Sequence, residues 1–198
     1  SASSSGSGAA VAFSAAGGAQ GFQLYRAAGT CASAEAGDFR LVASGASSPL
    51  LDPTSQGGYS YAYRVRGISN DVEGAVSACA DLVYSGPCTN QPDFDTGSLV
   101  GGSTLNASCK VALNWTPATS SCPLSPTVSY SVQRSASPYF TAPATVASGL
   151  ASASFDDVTV LPAVPYYYKV LAEDAEGNQA PISETVVGTA IGSSGVDG

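Results

Sequence analysis

The chain has 198 residues, of which 11 % are charged, with 7 basic against 15 acidic side chains and a formal net charge of −8. So acidic a surface, with no basic cluster to reverse it locally, repels phosphate backbones and excludes nucleic acid as a partner. No run of about 18 apolar residues is present, so no membrane insertion through a helix is expected. Histidine is absent and the five cysteines contain no CxxC pair, which argues against metal ligation and any other cofactor.

In chain order, the opening "SASSSGSGAA" is a poor strand by propensity, so the first domain is expected to lack a good first strand. "VAFSA" at Val11 and "FQLYR" at Phe22 follow as strand candidates, then "VASGASSPLLD" from Val42 to Asp52. In "YAYRVRG", Tyr61, Tyr63 and Val65 fall on one face and Ala62, Arg64 and Arg66 on the other. This period of two, with aromatic and β-branched residues, describes half-buried strands. "NDVEG" (Asn70, Asp71, Glu73) reads as a turn, and the first copy closes at about Tyr84 before the turn signal "SGPC".

The second half repeats these segments in the same order. "VALNW" at Val111, "YSVQR" at Tyr130, "VASGLASASFD" at Val146 and "YYYKVLA" at Tyr166 lie 100, 108, 104 and 105 positions after their counterparts. Ordered matches with a slowly drifting offset describe a duplicated domain with loop-length changes. The expected division is 1–86 and 87–198. The fold class is all-β, two consecutive sandwiches of about seven strands each. The alignment sets Ala15 where Trp115 stands, and pairs Leu51-Asp52 with Phe155-Asp156, the apolar member inward and the acid beginning a crossing.

The segment "VTVLPAVPYYYKVLAED" resembles the E–F corner and F strand of a fibronectin type III domain, with Pro162 ahead of Tyr166 and with Tyr168 and Val170 continuing the alternation. "VALNWTPA" resembles that family's B strand with its core Trp, here Trp115, and "VSYSVQRS" its C strand. The resemblance covers nearly all of residues 104–190. It implies an immunoglobulin-like sandwich with Trp115, Tyr166 and Tyr168 as structural core, and Tyr61 and Tyr63 in the first copy. It further implies that Tyr166 is a corner tyrosine whose hydroxyl bonds to backbone upstream. Tandem modules of large secreted bacterial proteins are similar.

Cysteines in a chain of this kind read as disulfides in an oxidising compartment. Cys109 opens a strand and Cys122 lies in its exit loop, so these two are expected to pair. Cys31 then pairs with Cys79 or Cys88. Cys79 and Cys88, nine positions apart, would be about 30 Å apart in an extended strand and are not expected to join.

No constellation for catalysis emerges. A nucleophile needs a base beside it, and the candidates are reduced to Lys110 and Lys169. Asp93 and Asp95 in "PDFDTG", and Asp156-Asp157, read as turn acids rather than paired catalytic carboxylates. The candidate binding loops are Asn70, Asp71 and Glu73 in the first copy and Glu173, Asp174, Glu176 and Asn178 in the second. Each has too few oxygens for a calcium cage and reads as a hairpin turn. The sequons at Asn106 and Asn114 are expected to be unmodified.

The chain is therefore read as a non-catalytic module of a secreted or surface protein. A start at Ser1 rather than Met leads to the expectation of a piece of a longer product. The module would serve as a spacer or display scaffold, or bind protein or glycan, with neighbouring domains or other copies of itself as partners. The alternative is a structural subunit of an extracellular filament or adhesive appendage, its termini held by neighbouring copies. Domain 1, with Ala15, a weak first strand and Gly57-Gly58 in its corner, is expected to be the less stable half.

Overall fold

In a computed structural model of the chain, residues 1–15, 17–103 and 109–191 are described. The chain divides into two units, Ser1–Thr89 with Cys122–Leu124, and Asn90–Ser121 with Ser125–Gly198. The first unit thus runs three residues past the expected boundary and takes in Cys122–Leu124, because a disulfide from Cys88 to Cys122 holds that segment.

In the first unit the strands are β1 (Ala2–Ser5), β2 (Gly8–Val11), β3 (Gly21–Ala28), β4 (Arg40–Gly45), β5 (Leu50–Asp52), β6 (Ser60–Ser69), β7 (Val72–Val76) and β8 (Ala80–Val83). One sheet has the order β1-β2-β5; the other has the order β4-β3-β6-β7, with β8 also on β6. The second unit has β9 (Val100–Ser103), β10 (Val111–Asn114), β11 (Val128–Ser135), β12 (Ala144–Leu150), β13 (Ser154–Asp157), β14 (Pro165–Asp174) and β15 (Val186–Thr189). Its sheets are β13-β10-β9 and β12-β11-β14-β15. Each unit therefore fills the same seven strand positions, the last one split into β7 and β8 in the first unit. The long β6 and β14 carry their aromatics inward: Tyr63 and Tyr168 are fully buried, and Val65 and Val170 lie beside them.

Three expectations are corrected by the strand register. "SASSSGSGAA" does form a first strand: β1 pairs with β2 from Ala2↔Val11 to Ser5↔Gly8, and the Ser1 amine donates to Ala12 O at 2.8 Å. The weak propensity of serine is overridden by this tight hairpin and by Tyr84, whose hydroxyl donates to Ser5 O at 2.7 Å. The termini therefore do not both await a neighbour: the amino end is held within its own unit, and the closing "GSSGVDG" lies outside the described residues.

The second correction is one of register. Leu50, not Leu51, points inward, and Leu51 is exposed. Ala9 pairs with Asp52 and Val11 with Leu50, just as Val111 pairs with Asp157 and Leu113 with Phe155. Asp52 thus matches Asp157, and Asp156 is an exposed residue paired with Lys110 at 2.6 Å. The cause is a bulge. Between Ala147 and Leu150 strand β12 uses three steps against two on β11, with Gly149 at φ +66°, whereas Ala43 to Gly45 on β4 uses two. One extra residue reverses every later face assignment.

The third correction follows from the second. If Val11 matches Leu113, the residue at the Trp115 position is Phe13, and Ala15 is exposed. Phe13 packs on Phe22 with ring centroids 4.7 Å apart, as Trp115 packs on Tyr130 at 5.3 Å. The first core keeps its aromatic pair in a smaller version.

Candidate functional site

Two of the three buried carboxylates among the described residues, Asp52 and Asp157, sit in one arrangement made twice. At the end of β5, Asp52 is buried completely, and its counterpart at the end of β13, Asp157, is 1 % exposed. In the first unit Arg26 of β3 donates to Asp52 Oδ2 at 2.8 Å and Tyr63 of β6 donates to the same oxygen at 3.0 Å. Asp52 Oδ1 accepts the Thr54 N–H at 3.0 Å and its hydroxyl at 2.6 Å. In the second unit Arg134 and Tyr168 donate to Asp157 Oδ2 at 2.7 and 3.0 Å, and Thr159 gives its N–H and hydroxyl to Oδ1 at 2.9 and 2.7 Å. Each arginine also stacks on a tyrosine, Arg26 on Tyr61 and Arg134 on Tyr166, both at 4.8 Å.

Four hydrogen bonds use the whole acceptor capacity of a carboxylate. Burial pushes the Asp157 carboxyl up, but the hydroxyl and N–H of Thr159, then Arg134 and Tyr168, outweigh it and hold it below its usual range. Burial, and next the adjacent aspartate, raise the Tyr63 and Tyr168 hydroxyls well above the ordinary tyrosine value. Such a group neither accepts a substrate proton nor ligates a metal; it pins the turn after β5 or β13 to the facing sheet. The corner assignment of Tyr166 is corrected accordingly. Its ring carries Arg134, among the described residues its hydroxyl has no backbone partner, and the bonded hydroxyl belongs to Tyr168. In the first unit, Tyr61 accepts the Gln56 N–H at 3.0 Å. The signal lay in the sequence as Asp-x-Thr, "DPT" and "DVT", each followed by a Tyr 11 positions after the Asp.

A second device also repeats. Ser77 and Ser183 each give the N–H to the carbonyl of Val65 or Val170, at 2.9 Å in both, and accept the N–H of the same residue at 2.9 and 2.8 Å. This interrupts the last strand position at the same place in both units.

The loop candidates are placed apart from the lock. Asn70 and Asp71 have φ of 50° and 61°, the two left-handed residues of a type I′ hairpin between β6 and β7. Glu73 lies on β7, accepting the Tyr25 hydroxyl and facing Arg66 at 3.5 Å. In the second unit Asp174 is buried and accepts the N–H of Glu176 and Asn178 at 3.0 and 2.9 Å and the Asn178 amide at 2.9 Å. Glu173 accepts from Gln179 at 2.7 Å and Glu176 from the Ser125 hydroxyl at 2.9 Å. These acids organise turns. Asn114 is exposed at the end of β10, and Asn106 lies outside the described residues.

The disulfides are Cys31–Cys79 and Cys88–Cys122. The expected Cys109–Cys122 bond is corrected: Cys109 is a free, half-buried thiol. Cys109 precedes β10 and Cys122 follows it, and an extended strand separates what lies at its two ends by about 3.3 Å per residue. Cys122 is instead drawn to Cys88.

One cleft on the first unit brings together residues that the sequence reading did not join. It holds about 170 Å³ on the outer face of the β4-β3-β6-β7 sheet, lined by Tyr25, Phe39, Arg64, Arg66, Glu73 and Val76. Arg64 stacks on Phe39 at 4.4 Å, and its Nε is buried without a hydrogen-bond partner among the described residues. The hydrogen bond to Glu73, followed by burial, raises the Tyr25 hydroxyl. The available signal was the alternation of Arg64 and Arg66 on the outward face of the strand.

Neither a protein-family model nor a curated protein sequence matches the chain. Among solved structures, it is similar to the FN1–FN3 domains of chicken CNTN1, at 16 % identity and a TM-score of 0.50, over 93 % of this chain and 62 % of that one. An Fn3-like protein from Clostridium thermocellum matches at 22 % identity and a TM-score of 0.41, over 51 % of this chain and 95 % of that chain. A fibronectin type III domain derived from human KIAA0970 protein matches at 20 % identity and 0.40, over 49 % and 73 %. At these identities the likeness is one of fold. Two sheets per unit, seven strand positions twice over and the CNTN1 likeness across nearly the whole chain make this protein, in fold, a tandem of fibronectin type III-like β-sandwiches.

Proposed function

We propose that the chain is a non-catalytic tandem module of a secreted or surface protein, holding neighbouring domains at a set separation and presenting its sheet faces to partners. The observation that carries this reading is the duplicated Arg–Asp–Thr–Tyr lock. The most strongly perturbed ionisable groups are saturated by one another, and they fasten loops to sheets. Two disulfides support an oxidising compartment. No helix among the described residues is long and apolar enough to cross a membrane. The filament alternative drew its support from a missing first strand, and β1 fills that place from the chain itself.

Sedimentation velocity over about a hundredfold range of concentration tests the reading. One monomeric species throughout is the expected result. Growth into long polymers would replace it with the filament reading.

A further inference from the structure

We propose that the cleft on the outer face of the first sandwich is a carboxylate-binding site, with Arg64 as the residue that takes the anion. This goes beyond the module reading and does not rest on it. Arg64 lies between the buried Tyr63 and Val65, so it stands on the outward face of β6, and it pairs across to Tyr25 on β3. Phe39 beneath the guanidinium fixes its plane. A planar fork held in this way is preorganised for two parallel bonds to a carboxylate.

Arg64 makes no ion pair among the described residues, although the chain has 15 acids to 7 bases. The acid beside it, Glu73, is already engaged by Arg66 and the Tyr25 hydroxyl. Among the described residues no acceptor is supplied to the Arg64 guanidinium, and its covered Nε is left a donor without a partner. The cleft volume of about 170 Å³ suits an acidic side group rather than a whole drug-sized molecule. Val76 and Phe39 offer apolar walls for the carbon skeleton. Glu73 in the wall disfavours a dianion such as phosphate. The duplication does not preserve the site. By register, Gln133, Lys169 and Leu171 replace Tyr25, Arg64 and Arg66, and Lys169, over Phe140 at 5.1 Å, is a point charge without the fork.

The carboxylate could belong to an acidic amino-acid side chain or to a uronic acid, and the test separates them. The full chain, labelled with ¹⁵N, is titrated with N-acetylglutamate α-amide and, separately, with glucuronate, following the Arg64 Nε–H signal. N-acetylglutamine amide, glucose and inorganic phosphate serve as controls. A saturable shift with one or both carboxylates is expected, with a Kd of the order of 10 mM. The probe that saturates first names the source. R64K should weaken binding about tenfold by removing the fork, R64Q should abolish saturation, and K169Q should change nothing. E73Q should tighten binding, a gain that misfolding cannot mimic. A shift that never saturates and is shared with Arg40 and Arg66 would overturn the proposal. So would saturation by phosphate alone, or weaker binding in E73Q.

Discussion

The two sandwiches share their fastenings and differ in their filling. Both have the buried aspartate lock and the serine staple, with distances that agree within about 0.1 Å. The second unit fills its core with Trp115, Tyr130 and Phe94, and has valine at position 111 where the first has Ala9. The first uses the smaller Phe13 and Phe22, adds the buried Tyr84, and contains both disulfides. The comparison teaches that sandwich geometry is set by a few directional contacts. Volume can be redistributed around them, with covalent links in the smaller core.

The largest expected effect separates the halves by their disulfides. Opening a bridge that spans 48 residues, Cys31–Cys79, should cost the first unit about 4 kcal/mol in the chain-entropy model; Cys88–Cys122, spanning 34, closes a loop that is almost all second-unit chain, so its cost is not the first unit's alone. Hydrogen-exchange mass spectrometry of the variant with Cys31→Ser and Cys79→Ser, against the parent chain, should show protection lost in β2, β3 and β6 while β11 and β14 keep theirs. Equal loss in both units would end the comparison. If the first half proves the weaker once Cys31–Cys79 is opened, the reason is that bridge and not a missing Trp.

Next comes the lock. Arg26→Met or Arg134→Met leaves a buried carboxylate without its cation and should cost about 3 kcal/mol in either unit. The arginines remain about one-quarter and one-fifth exposed, so solvent screening keeps the figure at the low end. Urea midpoints that fall by different amounts in the two variants would mean that matched geometry hides unequal energetics.

A smaller effect is expected from pH. The native Asp157 carboxyl titrates below its unfolded value of about 4. Its stabilising contribution is therefore complete above that value and is lost as pH falls through the native one, and D157N should flatten this limb. Tyr63 and Tyr168 are raised, so their contributions are complete below about pH 10 and fade as pH climbs beyond it in both units. Denaturant midpoints measured across pH give both limbs.

The smallest effect lies in the corner. Gly58, at φ +85°, donates to Tyr84 O at 2.7 Å, and Ala163, at φ +59°, donates to Ala190 O at 2.8 Å. A left-handed alanine is strained, so A163G should stabilise the second unit by about 0.5–1 kcal/mol. G58A should destabilise the first by more, since its new Cβ would lie 2.9 Å from Pro123. Differential scanning calorimetry distinguishes the two signs.

Much of the fold was legible because strand alternation is local. Tyr61-x-Tyr63-x-Val65 and Tyr166-x-Tyr168-x-Val170 each declare an inward face within five residues, and the ordered echoes declare a second copy. The exposed I′ turn at Asn70-Asp71 was legible for the same reason. The lock was not read, although Asp-x-Thr stands in the sequence twice, because its arginine comes from a strand 26 or 23 residues earlier.

The amino-acid sequence by itself determined the all-β class, the duplication and the acidic surface without His, since these depend on composition and on neighbours two residues apart. Only the tertiary structure decided which cysteines meet, that Phe13 stands for Trp115, that Asp52 matches Asp157, and that Arg64 faces a cleft whose acid, Glu73, is taken by Arg66 and Tyr25. Each of these depends on register. A single bulge residue at Gly149 shifts every later match by one, and only the pairing of strands across a sheet reveals it.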